Sequence, residues 1–331
     1  MLAGKPRLRP RRPSRTRCDV AKIVAAAATS HAFALEDPQN WDRVRERVGQ
    51  FYARRYGAPP AEHPRLRQES VADVEQRYDN LRRAHAHIRQ RLAQLKPDVL
   101  VLVGDDQDEI FTEDTYPQIA VYLGEDFVCR GRHQDSEYVG HGQPALAHLI
   151  LRECVEHDVD MSAVGKLPDN VLSAHAFGPV LRTIDPEAKI PAVPVFVNSI
   201  HIPAPSPARC YYLGQLIGRA IEQFGSGTAA IVASGGLSHF PGSYPGFPQG
   251  DFPFGGIVEE FDHMLLDKLR AGRGSELAQL TSQQLLNNGE IELRSWITML
   301  GAIGDAPPET LVYEPFYRAI MGIGAGYWSL N

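Results

Sequence analysis

A chain of 331 residues with 43% hydrophobic and 22% charged content has the makeup of a soluble globular protein, long enough for one large α/β domain or two modest ones. No apolar run approaches the ~18–20 residues of a membrane span. The four cysteines, Cys18, Cys129, Cys154 and Cys210, form no CxxC pair, which argues against a structural zinc site or a disulfide framework and fits a reducing cytoplasm. Residues 1–19 carry seven Lys/Arg and one Asp, so the net charge of −6 leaves −12 on residues 20–331, an acidic body that gives no support to nucleic-acid binding.

The basic leader, residues 1–20, is rich in proline and arginine and lacks the apolar core of a secretory signal. It is expected to be disordered, with a single domain following over 21–331. Residues 22–28 (KIVAAAA) predict a first buried strand that delivers Ser30 and His31 at its end. Residues 36–68 are polar and mixed, helix plus loop. From 69 to 95 Val71, Val74, Tyr78, Leu81, Ala84, Ile88, Leu92 and Leu95 recur at helical spacing, and Lys96-Pro97-Asp98 stops that helix. Residues 99–103 (VLVLV) predict a second buried strand, followed by an acidic knot of Asp105, Asp106, Asp108 and Glu109 around Gln107.

After a short apolar stretch at 119–123, residues 130–142 read as an irregular polar segment and 144–157 as a helix. Residues 170–185 hold His175 and Pro179, and 192–197 predict a further strand. Three prolines lead into a helix at 208–224, which feeds TAAIVASGGLSHFPGSY at 228–244. There a small apolar strand at 229–233 runs into Ser234-Gly235-Gly236, a sharp turn, and then His239 on a loop with Pro241, Gly242, Pro245 and Gly246. Helices at 256–271 and 289–303 complete the pattern.

Strands alternating with helices, each strand a continuous Val/Ile/Ala run, imply a single α/β domain whose central, mostly parallel sheet is covered by helices on both faces. Sites in such sheets form at the carboxyl ends of strands. That rule gathers Ser30-His31, residues 105–107, Asn198 and Ser238-His239 on one rim. A histidine there is equally well read as hydrogen-bonded structure, but several polar strand ends together make a candidate site. Glu292 lies four residues before Trp296, so a helix would turn its carboxylate toward the packed side, to meet a cation or several donors; a buried ion pair with an arginine is the plainer alternative. Histidine, carboxylate and further oxygen donors around one site suit non-haem Fe(II), with Mn(II) or Zn(II) as alternatives.

Six ordered blocks, AKIVAAAATSHAF, KPDVLVLVGDDQDEIF, DNVLSAHAFGPV, IPAVPVFVNS, ASGGLSHF and EIELRSWITMLGA, resemble the class III extradiol dioxygenases, the superfamily of the protocatechuate 4,5-dioxygenase catalytic subunit, over about residues 21–325. The resemblance implies that His31 and Glu292 are ligands of an Fe(II) ion, that His239 is the acid–base catalyst, and that His175 assists around substrate and oxygen. The family pattern at the middle ligand is Asp-His-x-x-x-Phe, whereas this chain has Asp106-Gln107-x-x-x-Phe111. Gln107 is therefore the expected third ligand, through a neutral carbonyl oxygen, with Asp106 as its substitute. The implied reaction is cleavage of a small catechol-type ring beside its diol by O2. The implied assembly is a homo-oligomer or a pairing with a separate small subunit. A metal-assisted hydrolase of a C–C or ester bond on the same fold is the competing enzyme class, favoured by the missing histidine. A non-catalytic partner subunit is the third reading, opposed by the presence of His239 and Glu292.

Overall fold

The structure is a computed structural model that describes residues 20–31, 35, 37–112, 114–130, 137–240 and 254–330. The leader expected at 1–20 lies outside the described residues except for Val20, as does the stretch with Pro241, Gly242, Pro245 and Gly246.

In chain order the elements are β1 (Lys22–Thr29), α1 (Trp41–Tyr56), α2 (Val71–Leu95), β2 (Val99–Gly104), β3 (Ile119–Tyr122), β4 (Asp126–Arg130) and β5 (Glu137–His141). They continue as α3 (Pro144–Glu156), β6 (Ser162–Val164), α4 (Gly178–Ile184), β7 (Ala192–Val197), α5 (Pro207–Gln223) and β8 (Thr228–Ser234). The last are α6 (Glu259–Arg270), α7 (Ser282–Asn287), α8 (Leu293–Ile303), β9 (Thr310–Phe316) and β10 (Met321–Ser329).

One sheet runs in the order β6-β3-β7-β2-β8-β1-β10-β9. Its middle, β7-β2-β8-β1, is parallel, so the ends of β1, β2 and β8 open on the same edge. Strand β2 shows why the run is apolar throughout. Val99, Val101 and Val103 pack against α5 and α8, while Leu100 and Leu102 pack against α2 and α4, because alternate side chains leave opposite faces of a strand. Helices on both faces bury every position.

Three segments depart from the sequence reading. Within the segment expected to be irregular, 130–142, residues 137–141 form β5, which pairs antiparallel with β4, and Phe127, Cys129 and Tyr138 face inward while Asp126, Arg130, Glu137 and His141 are exposed. Residues 310–329, to which no element was assigned, form β9 and β10, which pair antiparallel with each other and with β1. Their glycines, Gly322, Gly324 and Gly326, weaken any strand signature in isolation. Finally, the helix expected from 289 begins at Leu293, with Glu292 as its N-cap residue, and the helix expected from 256 begins at Glu259.

Helix α8 is pressed onto α5. A Cβ on Gly214 would collide with the carbonyl oxygen of Thr298, and one on Gly301 with that of Tyr211, both backbone atoms that cannot swing away. This close crossing fixes where α8 starts. Gly214→Ala is expected to lower urea-derived stability by about 1–3 kcal/mol by forcing the helices apart; an unchanged midpoint would mean that the crossing tolerates the extra carbon.

A second expectation concerns His85, buried on α2 with Nε2 2.9 Å from Thr29 Oγ1. Burial pulls its pKa from 6.5 down to about 4, so the folded chain resists protonation where the unfolded chain accepts it. This contribution to stability is complete above the unfolded value and is lost as pH falls toward the folded one, by roughly 2 kcal/mol between about pH 7 and 4.5. Replacement by glutamine, His85→Gln, should flatten that part of the acid limb in denaturant melts. A variant with the parent's acid dependence would contradict the assignment.

Candidate active site

Four residues predicted for the site arrive together at the strand ends: His31 after β1, Gln107 after β2, His239 after β8 and Glu292 at the start of α8. Glu292 is the hub. It is 3% exposed, and as the N-cap of α8 its side chain makes no hydrogen bond to that helix's own amides. Instead Oε2 accepts from the Gly236 amide at 3.0 Å and lies 3.6 Å from His31 Nε2. Oε1 accepts from Gln107 Nε2 at 2.9 Å and lies 3.3 Å from His239 Nε2. Among the described residues no arginine pairs with it. Arg294 gives its Nε and Nη1 hydrogens to the carbonyls of Pro205 and Ile291.

The two glycines of the β8 turn make this approach possible. Gly235 sits at φ +130°, and a Cβ there would stand 2.9 Å from Glu292 Cβ. Trp296, one turn along α8, locks the same turn by donating Nε1–H to the Gly235 carbonyl at 2.7 Å.

Hydrogen bonds also set the tautomers. The Ser234 hydroxyl gives its single proton to the Ala176 carbonyl, so it must accept from His31 Nδ1–H, 3.1 Å away. In the neutral ring His31 Nε2 then carries the lone pair, and it faces inward with no hydrogen-bond partner among the described residues. His239 donates Nδ1–H to the Leu237 carbonyl at 2.9 Å, which leaves Nε2 to exchange a proton. His175 is anchored by Glu109, which accepts from its Nδ1 at 2.8 Å and from its backbone amide at 2.7 Å, and its ring meets that of His31 edge-on at 4.8 Å.

The residues after β2 correct the sequence reading. Asp106 does not reach the site. Its carboxylate accepts the amides of Glu109, Ile110 and Phe111 at 2.9–3.2 Å and ties the loop back on itself. Gln107 does reach the site, but its amide nitrogen, not its oxygen, is turned to the carboxylates, Asp105 Oδ2 at 3.3 Å as well as Glu292. Asp105 faces inward instead, with Oδ1 3.8 Å from His31 Nε2 and no hydrogen bond to that oxygen among the described residues. Residues 105–107 follow β2 outside any strand, and the two that meet in the cluster, 105 and 107, flank the one that does not. Asn198 is spent on its own loop, binding both backbone groups of His201 and the Gln118 side chain.

The electrostatics follow from burying so many charges together. Burial pushes the Glu292 carboxyl up, but His31 and His239 overcome this and hold it well below the usual carboxylate range. Burial opposes the protonation of His31, yet Glu292, Asp105 and Glu109 raise its pKa to about 9. Burial likewise opposes His239, and Glu292 again raises it. Asp105 is pushed up to about 7 by burial and by Glu292. In the absence of another cation, the imidazoles supply the positive charge that these carboxylates require. His31 Nε2, Asp105 and Glu292 place ligand atoms within 4.8 Å of one another, all buried. Orphaned, inward-facing donor atoms of this kind fit a divalent metal ion.

Behind His239 lies a support that the sequence did not reveal. Asp262, fully buried on α6, accepts from the Ser238 amide at 3.2 Å, from the Ser238 hydroxyl at 2.7 Å and from the Tyr313 hydroxyl.

Comparison with known proteins identifies what the chain as a whole is similar to. Residues 63–326 match the family described as the catalytic LigB subunit of aromatic ring-opening dioxygenase. A 2,3-dihydroxyphenylpropionate/2,3-dihydroxicinnamic acid 1,2-dioxygenase of Cupriavidus necator is 23% identical over 303 residues, covering 80% of this chain and 91% of that protein. A gallate dioxygenase of Pseudomonas putida is 31% identical over 180 residues, covering 52% of this chain and 49% of its own. Among solved structures, an uncharacterized protein of Escherichia coli K12 aligns with a TM-score of 0.44 at 15% identity, over 92% of this chain and 99% of that one.

The tautomer argument is open to test. Removing the Ser234 hydroxyl frees His31 Nδ1, so Ser234→Ala should weaken divalent-metal affinity by about 10–100-fold in a direct titration. Parent-like affinity would show that Ser234 does not orient the ligand.

Proposed function

The chain belongs to the family of the catalytic LigB subunit of aromatic ring-opening dioxygenase, and from that membership we propose that it opens the ring of a small catechol-type dihydroxy-aromatic by extradiol cleavage, with O2 and a resident Fe(II). The observation that carries the reading is the meeting of unpartnered His31 Nε2 with the Glu292 carboxylate, 3.6 Å apart, beside His239, a histidine free to exchange a proton at Nε2.

His31 and Glu292 are the residues that would hold the ion. When bound, the ion supplies Lewis-acid activation of the diol and an electron partner for O2. The remaining work falls to the protein. His239 takes a phenolic proton at Nε2, because Nδ1–H is already committed to the Leu237 carbonyl. Glu292 Oε1, 3.3 Å away, stabilises the imidazolium that forms, and the same nitrogen returns the proton as the ring opens. His175, held by Glu109 on its Nδ1 side, presents its other edge beside His31 and orients the substrate oxygens. His31, His239 and Glu292 are at most 5% exposed, so water is kept from the reacting groups.

The relatives' names supply 2,3-dihydroxyphenylpropionate and gallate for the substrate panel, and plain catechols complete it. The Fe(II)-loaded chain should consume O2 with at least one of them. The substitution His239→Ala should keep the metal and lower turnover by about 10²–10⁴-fold. No uptake with any member of the panel, or loss of metal from the variant, would overturn the assignment.

A further inference from the structure

We propose that Asp105, through Oδ1, is the third protein ligand of the metal, and that Gln107 serves as a clamp on the outer oxygens of the two ligating carboxylates. This rests on reading the site as a metal centre and goes beyond it by replacing the family's second histidine with a carboxylate one residue removed from the expected position.

Four observations converge. Asp105 is 1% exposed, and its Oδ1 has no hydrogen bond among the described residues, a costly state for a buried carboxylate oxygen unless something positive faces it. That oxygen lies 3.8 Å from His31 Nε2, itself unpartnered, and Glu292 Oε2 lies 3.6 Å from the same nitrogen. Gln107 Nε2 occupies the other oxygen of each carboxylate, Asp105 Oδ2 and Glu292 Oε1. One amide group thus orients both carboxylates so that Oδ1 and Oε2 are left facing His31. Asp106, the other candidate, is consumed by three loop amides.

The ligand set has a chemical consequence. Two carboxylates and a neutral imidazole balance the charge of a divalent ion, whereas two imidazoles and one carboxylate leave it positive. The exchange of nitrogen for oxygen makes the site harder and narrows its preference for Fe(II) over Mn(II).

The test is direct titration of the full chain with Mn(II), followed by the EPR signal of the free ion. Asp105→Asn should weaken Mn(II) binding by more than about 100-fold, while Gln107→Leu, which removes the clamp but no ligand, should weaken it by at most about 10–100-fold. Parent-like binding by Asp105→Asn would overturn the proposal. So would a loss beyond about 100-fold in Gln107→Leu, which would return the ligand role to glutamine, or the absence of binding by the parent. Should Asp105→Asn fail to fold, Gln107→Leu decides alone by the same limits. Binding is read here without turnover, so a chain that binds through Asp105 yet opens no ring would retire the dioxygenase reading and leave this one standing.

Discussion

The burial of one carboxylate, Glu292, is the constraint on which the rest of the site depends. At 3% exposure it has almost no water to solvate it, so the fold must supply donors from elsewhere. They come from three distant parts of the chain: the Gly236 amide on the turn after β8, the Gln107 amide after β2, and the imidazoles of His31 and His239. Removing one partner from such a buried group costs about 3–5 kcal/mol in other proteins, because the remaining charge is stranded. The parallel centre of the sheet brings these donors to one edge. The glycine contact between α5 and α8 sets the height at which the carboxylate enters.

A second layer of hydrogen bonds decides what each histidine can do. Ser234 and Leu237, on either side of the glycine turn, take the Nδ1 protons of His31 and His239 respectively. One short segment of β8 and its turn therefore fixes which ring nitrogen each of the two histidines turns toward Glu292. Asp262 braces the Ser238 link between them from behind, with Tyr313 of β9 holding the aspartate. The C-terminal hairpin thus braces the residues around His239 as well as completing the sheet.

Much of this was legible in the sequence, for identifiable reasons. Strands β1, β2, β7 and β8 are buried on both faces, so their apolar runs stand out, and His31 and His239 follow those runs within a few residues. The pair β4–β5 and the strands β9–β10 were hidden because the outer face of β4 and β5 mixes charged residues with valine and because β10 is interrupted by glycine. Glu292 was identified, but on a helix face rather than as an N-cap residue, since helix starts are set by tertiary contacts such as the Gly235–Glu292 approach. The three residues 105–107 were hardest. Their spacing in sequence is equal, and only the competition of loop amides for Asp106 and of Gln107 for two carboxylates separates their roles.

The central claim is that this buried cluster of histidines and carboxylates inserts oxygen gas into a dihydroxy-aromatic ring. Mass spectrometry of the product formed under ¹⁸O-labelled O2 tests it most directly. The account predicts a ring-opened product that has gained both atoms of one oxygen molecule, with cleavage beside the diol. A product whose added oxygen comes from water, with none from the gas, would contradict it and show that the same residues carry out a metal-assisted hydrolysis.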